Sequence, residues 1–485
     1  MAMQKINKKV AVIGAGPAGM TAAYILTKKG VPVDLYEASP FVGGMARSIE
    51  LWGQTVDIGP HRFFSSDTRV NQVWLEAVGK DYEMVDRLTR IFFRNKFYHY
   101  PIKAFDALKN LGIFESILCV GSYAIQRLKP GRDELGDTFE SWVVARFGRR
   151  LYKHFFKTYS EKLWGIPTTE LDADFAAQRI KKLSLWEAIK SAIFGGGGEK
   201  HKTLVDQFAY PKHGTGDVYN NMKKYVEAHG GKVFLESPID SLITKGKTVV
   251  GLKLVSGQTR NYDEIISSMP LTLLVSRIKN LPADVAKANS SLKFRNTTLV
   301  YLQIKDSKVF PDNWIYVHSG ELRMGRVTNF RNWVPTINRG KKETILALEY
   351  WSFDEDDFWH WEDKKLIDLA KIEIVKTGLV KAGQIMDGKV IRVPRCYPVY
   401  KRGYKKPLGI IQKFIDGFSH LQVIGRYGAF KYNNQDHSIL MGLLAAENVA
   451  DGTHHDLWGI NTDYENYQES SKITKTGLVV SKTSD

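Results

Sequence analysis

Two cysteines in 485 residues cannot staple a fold. Cys119 and Cys396 provide neither a disulfide framework nor metal-ligand spacing, and such sparing use of cysteine points to a reducing compartment, expected here to be the cytoplasm. No metal site is expected. Long apolar runs are also missing. The most apolar stretch, GIFESILCVGSYAI, is too short to span a bilayer and contains Glu115, so no transmembrane segment is expected. The basic N-terminus leads into a strand pattern rather than the apolar core of a signal peptide. Zinc-finger spacing, RNA-binding signatures and basic helical arrays are absent, which excludes nucleic acid as an expected partner. Acidic residues are in deficit, 52 against 69 lysines and arginines, for a net charge of +17. That surplus suits a polyanionic ligand such as a nucleotide diphosphate, or an acidic membrane surface, although a solvated lysine-rich exterior accounts for it equally well.

What is present is an ordinary globular composition, 43% hydrophobic and 25% charged, in a chain long enough for two or three domains. Its organising stretch is KKVAVIGAGPAGMTAAYILTKKGVPVDLYEASPFVGGMARS, residues 8 to 48, which reads as strand, glycine turn, helix, strand and second glycine turn. Gly14, Gly16 and Gly19 follow the β-branched run at GxGxxG spacing. The first glycine permits the tight turn, the second lets backbone approach a pyrophosphate, and the third lets the helix pack close on its strand. Pro17 fits the first helical turn because it lacks an N–H that would go unpaired there. The second strand ends in Glu37, placed to hold ribose hydroxyls, and its negative charge favours FAD or NAD over NADP. Gly43, Gly44 and Arg47 continue the turn with a further close approach and a cation for the same diphosphate.

After this unit, the loop in SIELWGQTVDIGPHRFFSSD carries His61, read as cofactor-facing, and RIFFRNKFYHYPIK reads as a hairpin ending at Tyr100 within an otherwise helical segment. Aromatic residues at helical spacing fill the stretch from Thr138 onward, where Trp164 precedes the helix-breaking Gly165 and Pro167, and Arg179 lies in the next helical pattern. A tryptophan and an arginine so placed suit a pocket for a base and a phosphate; a structural tryptophan and a surface arginine are the alternative. Alternating stretches such as TTLVYLQI and ETILALEYWSF imply an antiparallel sheet with Arg326 and Trp333 in its middle. In LQVIGRYGAFKYNNQDHSILMGLLAAENVADG a strand closes at Gly425 and Arg426, and a loop with Tyr427, Tyr432, Asn433 and Asn434 leads to Asp436, whose position suits an N-cap. The positive end of that second helix would favour electron density on a reduced flavin ring.

The expected fold is therefore α/β: a discontinuous Rossmann-like domain for FAD or NAD (1–80, 205–285 and 405–462), a helical insert on the substrate side (81–204), an antiparallel β-sheet substrate domain (286–404), and a polar tail (463–485).

The motifs GAGPAG with Glu37, GPH, TFESW followed by KLWGIPTTEL, YPKHGTG, Arg326 with Trp333, RGYKKPL and GRYGAFKYNNQDHS together resemble UDP-galactopyranose mutases, particularly the longer eukaryotic type, within the amine oxidase and protoporphyrinogen oxidase class of FAD proteins. The resemblance covers nearly the whole chain. It implies that Arg179 and Arg326 clamp the diphosphate of a sugar nucleotide and that Tyr404 and Tyr432 donate hydroxyls to it. It also implies that Tyr100 and Trp164 line the pocket, that His61 lies against the isoalloxazine, and that Arg426 with the Asp436–Ser438 helix start holds the FAD. Two residues depart from the family pattern. Pro60 replaces the second glycine of a Gly-Gly-His loop and restricts it, and Trp333 stands where a phosphate-binding tyrosine is expected.

The activity so implied is a UDP-sugar pyranose–furanose mutase, in which reduced FAD supplies the nucleophile for the anomeric carbon without net redox change. The alternative is an FAD-dependent oxidoreductase of the amine oxidase or protoporphyrinogen oxidase type. The partners implied are a nucleotide-sugar substrate and an external reductant such as NAD(P)H or a reductase, and a homo-oligomer is compatible with the chain.

Overall fold

The computed structural model describes residues 8–100, 110–128, 136–174, 207–460 and 470–481. The chain divides into two compact units, one comprising Met1–Val85, Phe208–Lys293 and Lys405–Asp485, the other Asp86–Gln207 and Phe294–Tyr404.

The first unit is built on a five-stranded sheet in the order Leu421–Val423, Glu264–Ser267, Val10–Ile13, Val33–Tyr36, Lys232–Phe234. Every pairing in it is parallel. Strands buried on both faces must be apolar throughout, which is what the run VAVI supplies: all four residues of the central strand are buried. The helix Pro17–Lys28 returns the chain to the sheet, and the long helix Gln435–Ala450 lies against it. Because Gln435–Ala450 is buried over most of its circumference, its sequence SILMGLLAA is apolar all round rather than striped. The two helices meet closely at Gly442, where a β-carbon would stand 2.3 Å from the carbonyl oxygen of Ala18. Residues 470–481, read from sequence as part of a polar tail, form the hairpin Ser470–Thr474 and Gly477–Ser481. The Asn71 amide donates to the Ser471 carbonyl and hydroxyl, and the Tyr82 hydroxyl donates to the Thr474 carbonyl, so polar residues hold this hairpin in place by specific hydrogen bonds.

The second unit carries a seven-stranded sheet in the order Ile385–Pro398, Phe294–Ile304, Thr344–Ser352, Arg326–Asn329, Trp314–Val317, Thr89–Phe93, Lys96–His99. The hairpin read in RIFFRNKFYHYPIK is present, but it joins this sheet rather than interrupting a separate helical region. The sheet is also not wholly antiparallel, since Trp314–Val317 runs parallel to Thr89–Phe93. Short strands starting in a helical segment cannot bury their apolar face alone; edge pairing supplies the missing partner. The helix Asp363–Lys376 covers the sheet with Leu366, Ala370 and Ile374, which pack in one cluster with Val300, Leu302, Leu346 and Leu348. Both cysteines are buried and free. Cys119 lies near Glu115 and His154, but Arg150 takes both oxygens of that carboxylate, and burial pushes the thiol up to about 11, so the group is an ion pair with a protonated thiol beside it.

The close contact at Gly442 gives a stability prediction. Gly442→Ala must push the two helices apart or bend one of them, at about 1–3 kcal/mol for overpacking. Calorimetry should show the unfolding temperature falling by several degrees; an unchanged value would contradict this packing.

Candidate active site

In the first unit the glycine turn has the geometry its sequence requires. Gly14 has φ +93, and a β-carbon on Gly19 would stand 1.9 Å from the Gly14 carbonyl oxygen, so no larger residue lets the helix lie this close to the strand. Gly16, by contrast, faces open space within 4 Å. The N-cap of this helix is Gly16 itself, with Pro17 following and no capping side chain, which leaves its first N–H groups directed at the position of an anion. The second turn is tied to the first by the Gly43 N–H donating to the Ala15 carbonyl at 2.7 Å, and Gly44 approaches Gly16 so closely that a β-carbon would lie 3.1 Å from its Cα.

Glu37 accepts hydrogen bonds from the Ala15 N–H at 2.7 Å and the Ser39 N–H at 2.9 Å. Two backbone donors orient the carboxylate while its remaining lone pairs stay available to ribose hydroxyls. Arg47 stacks over Phe41, and its Nε is buried without a hydrogen-bond partner. A buried orphan donor is costly, and a bound diphosphate would satisfy it. Arg426 donates to the Asn433 carbonyl at 2.9 Å and lies over the Tyr432 ring at 4.5 Å, which brings these two residues together in the first unit.

The helix start at NNQDHS differs from its sequence reading. Asn434 is the N-cap, and Asp436 lies inside the first turn. The extended conformation required of an N-cap is already met at Asn434, two residues earlier, and no side chain caps this end. Asp436 instead places negative charge against the positive end of the helix. Ser438 is buried with its hydroxyl turned back to the Asn434 carbonyl, so its donor serves the helix itself. His61 is half-buried, with Nδ1 3.0 Å from the Gly59 carbonyl oxygen.

In the second unit Arg326 sits at the start of its strand with Tyr316 and Glu349 directly opposite on the neighbouring strands. Its Nε and Nη2 donate to the two Glu349 carboxylate oxygens at 2.7 and 2.6 Å, a bidentate and nearly enclosed ion pair. Aromatic rings surround this pair of strands. Tyr159 packs edge-on against Tyr316 and Trp351 and stacks on His318, and Tyr100 packs edge-on against Tyr316. Trp164 stacks on Tyr400, which stacks on Tyr404. Trp164 is fully buried, so it shapes this wall from behind instead of presenting a surface to a ligand. The Tyr404 hydroxyl faces Asp174 at 3.4 Å, and burial, together with Tyr400 and Asp174, raises its pKa. Trp333 is not a phosphate donor in this arrangement: its indole N–H donates to the Asn313 carbonyl at 3.4 Å among Trp314 and Phe330. A ring as large as indole is accommodated there by burial, which turns its single donor inward. Arg179 lies outside the described residues.

Sequence reasoning missed Glu349, Tyr159, Tyr316 and a buried group around Asp57. A glutamate inside the wholly buried strand TILALEYWS was a visible signal, because a buried carboxylate demands a partner. Asp57 accepts from the Ser48 hydroxyl at 2.6 Å, the Tyr210 hydroxyl at 2.7 Å and the Thr215 N–H at 3.2 Å. Burial pushes its carboxyl up to about 7, against the opposing pull of those hydrogen bonds.

The sequence profile of the family described as "Flavin containing amine oxidoreductase" matches residues 17–377. The chain belongs to the flavin-containing amine oxidoreductase family. Its fold is similar to the crystal structure of a reduced UDP-galactopyranose mutase, with a TM-score of 0.84 at 21% identity over 94% of this chain and 97% of that one. Coproporphyrinogen III oxidase of Staphylococcus aureus (strain NCTC 8325 / PS 47) is 23% identical over 92% of this chain and 99% of its own length. A probable UDP-galactopyranose mutase of Klebsiella pneumoniae is 27% identical over 34% of this chain and 44% of its own length. The chain is a flavin enzyme with FAD as its cofactor, and the glycine turns, Glu37 and the orphan Arg47 donor fit that cofactor. Among the described residues no helix is long and apolar enough to cross a membrane.

Two outcomes follow. Glu37→Ala should weaken FAD retention by roughly tenfold to a hundredfold, because hydrogen bonds to charged groups contribute about 1.5–3 kcal/mol; fluorescence titration of apoprotein with FAD measures it. For Asp57, the folded pKa near 7 exceeds the ordinary value of 3.8, so its contribution to stability is present below the ordinary value and lost as pH rises through 7. Asp57→Asn should therefore gain stability relative to the parent between about pH 4 and 7 and run parallel above that range. Denaturant midpoints across pH check this, and a constant difference would show that the carboxyl titrates normally.

Proposed function

We propose that this chain is a flavin-dependent UDP-sugar pyranose–furanose mutase. The observation that carries the reading is its likeness in fold, over nearly its full length, to a UDP-galactopyranose mutase crystallised in the reduced state. Reduced FAD, when bound, supplies the nucleophile for the anomeric carbon. The protein's own contribution is to hold a departing diphosphate so that it can return. Arg326 is suited to this task because Glu349 fixes its guanidinium plane through the Nε and Nη2 edge, leaving Nη1 as the donor aimed elsewhere. Tyr404 lies in the same unit as Arg326. Arg179, Tyr404 and Tyr432 are the further diphosphate contacts that the family resemblance implies, as Tyr100 and Trp164 are its pocket residues and His61 its flavin neighbour. The fully buried Trp164 acts through Tyr400.

Specific observations support a second reading, an FAD-dependent oxidoreductase. Coproporphyrinogen III oxidase shares almost the full length of the chain. Glu349 neutralises much of the positive charge that a diphosphate would seek, and the Trp333 donor is engaged by Asn313.

Calorimetry with UDP separates the two. Under the mutase reading UDP binds without an attached sugar, and binding weakens as salt rises. Arg326→Lys keeps a cation opposite Glu349 but loses the planar fork, and should lower turnover roughly a hundredfold to a thousandfold, as expected for one stabilising donor on a developing charge. FAD absorbance should be retained in that variant. No binding at millimolar UDP in either flavin redox state would favour the oxidoreductase.

A further inference from the structure

We propose that Gln435 is a positioning residue of the flavin site, which holds the main-chain carbonyl of His61 through a buried hydrogen-bond network anchored on Asp57. Gln435 is the first residue of the helix Gln435–Ala450 and is buried. Its Nε2 donates to the His61 carbonyl at 3.2 Å and to the Thr215 hydroxyl at 3.3 Å, while its Oε1 accepts from the Tyr219 hydroxyl at 2.7 Å. A carbonyl oxygen can only accept, so the amide nitrogen must face His61; the flipped amide would set two acceptors against each other. The Tyr219 hydroxyl, on the opposite side, then donates to the Oε1 that this orientation presents.

Thr215 links this clamp to Asp57, since its N–H donates to the Asp57 carboxyl. The same carboxyl accepts from Ser48, whose hydroxyl oxygen in turn accepts the Gly216 N–H at 2.9 Å. The network thereby ties together the hairpin before the histidine loop, the segment Tyr210–Tyr219 and the start of the last long helix, all within the first unit.

The loop itself hangs from the dinucleotide cradle. The Ile58 N–H donates to the Arg47 carbonyl at 3.2 Å, and the Gly59 N–H donates to the Asp57 carbonyl at 2.9 Å. Gly59 has φ +84, and Pro60 fixes the next φ. The entry to the loop is tied at Ile58 and Gly59, its backbone is stiffened at Pro60, and the His61 ring meets the Gly59 carbonyl at 3.0 Å. Gln435 adds a hold on the peptide that carries the His61 carbonyl. Position 435 thus steadies the backbone from which the imidazole projects, and it does so from the end of the helix whose positive pole lies there.

The inference rests on FAD occupying the cradle and not on the identity of the substrate, so it survives or fails independently of the mutase proposal. It is tested on the holoprotein with Gln435→Glu, which keeps the shape and the acceptor for Tyr219 but cannot donate to His61 unless protonated. Amide hydrogen exchange of residues 58–64 should speed by roughly fivefold to a hundredfold at pH 8, the equivalent of one lost buried hydrogen bond. The visible circular dichroism of the flavin and its midpoint potential should shift, with the unfolding temperature of the Gln435→Met control serving to separate general loosening from loss of position. If Gln435→Glu does not fold, Thr215→Val, which removes one support of the amide, should show the same changes in smaller degree. Unchanged exchange in residues 58–64 and an unchanged flavin signal in the folded variant would overturn the proposal, and exchange that rises equally throughout the first unit would overturn it as well.

Discussion

The first unit depends on how near its opening helix can lie to the strand before it. Gly19 permits an approach that any side chain would block at the carbonyl of Gly14, and the positive φ of Gly14 turns the chain sharply enough to use it. That approach brings the uncapped helix start to the end of the central strand, where Glu37 arrives on the adjacent parallel strand and Gly43 is tied to Ala15. Anion, ribose and second turn are thus arranged by backbone contacts before any ligand is present. The donor set is incomplete by itself, as the buried Nε of Arg47 shows. A dinucleotide completes it.

In the second unit the corresponding constraint is a buried charge pair. Arg326 and Glu349 face each other across adjacent strands in a setting where a lone charge would be strongly disfavoured. Glu349 therefore does two things at once: it makes a buried guanidinium tolerable, and it fixes the guanidinium plane. The cost is a weaker net field toward an anionic ligand. This is why the fold likeness to a mutase and the local charge balance pull toward different activities.

Much of the first unit could be read from sequence because its requirements are local. GxGxxG, a buried β-branched strand and Glu37 at the end of the next strand each carry their own physical reason, and all lie within one short stretch. The capping residue of the last helix was harder, because Asn434 and Asp436 are both good caps and only the backbone conformation decides between them. The surroundings of Trp164 and Trp333 are not legible in sequence for a related reason. An indole can line a pocket or fill a core, and sequence spacing does not reveal that one lies behind Tyr400 and the other donates to Asn313. Glu349 and Gln435 depend on partners more than twenty residues away, and Asp57 on Tyr210 and Thr215 besides the nearby Ser48, so these pairings appear only when the chain is folded.

The central claim is a sugar-nucleotide isomerisation that uses reduced flavin without consuming it. The direct measurement incubates the dithionite-reduced holoprotein anaerobically with a panel of UDP-sugars and counts product formed against reducing equivalents lost. An isomeric UDP-sugar should form over many turnovers with the flavin still reduced and no stoichiometric loss of reductant. One reducing equivalent pair exchanged per product, or substrate-derived hydride recovered on the flavin, would contradict it and identify the chain as an oxidoreductase.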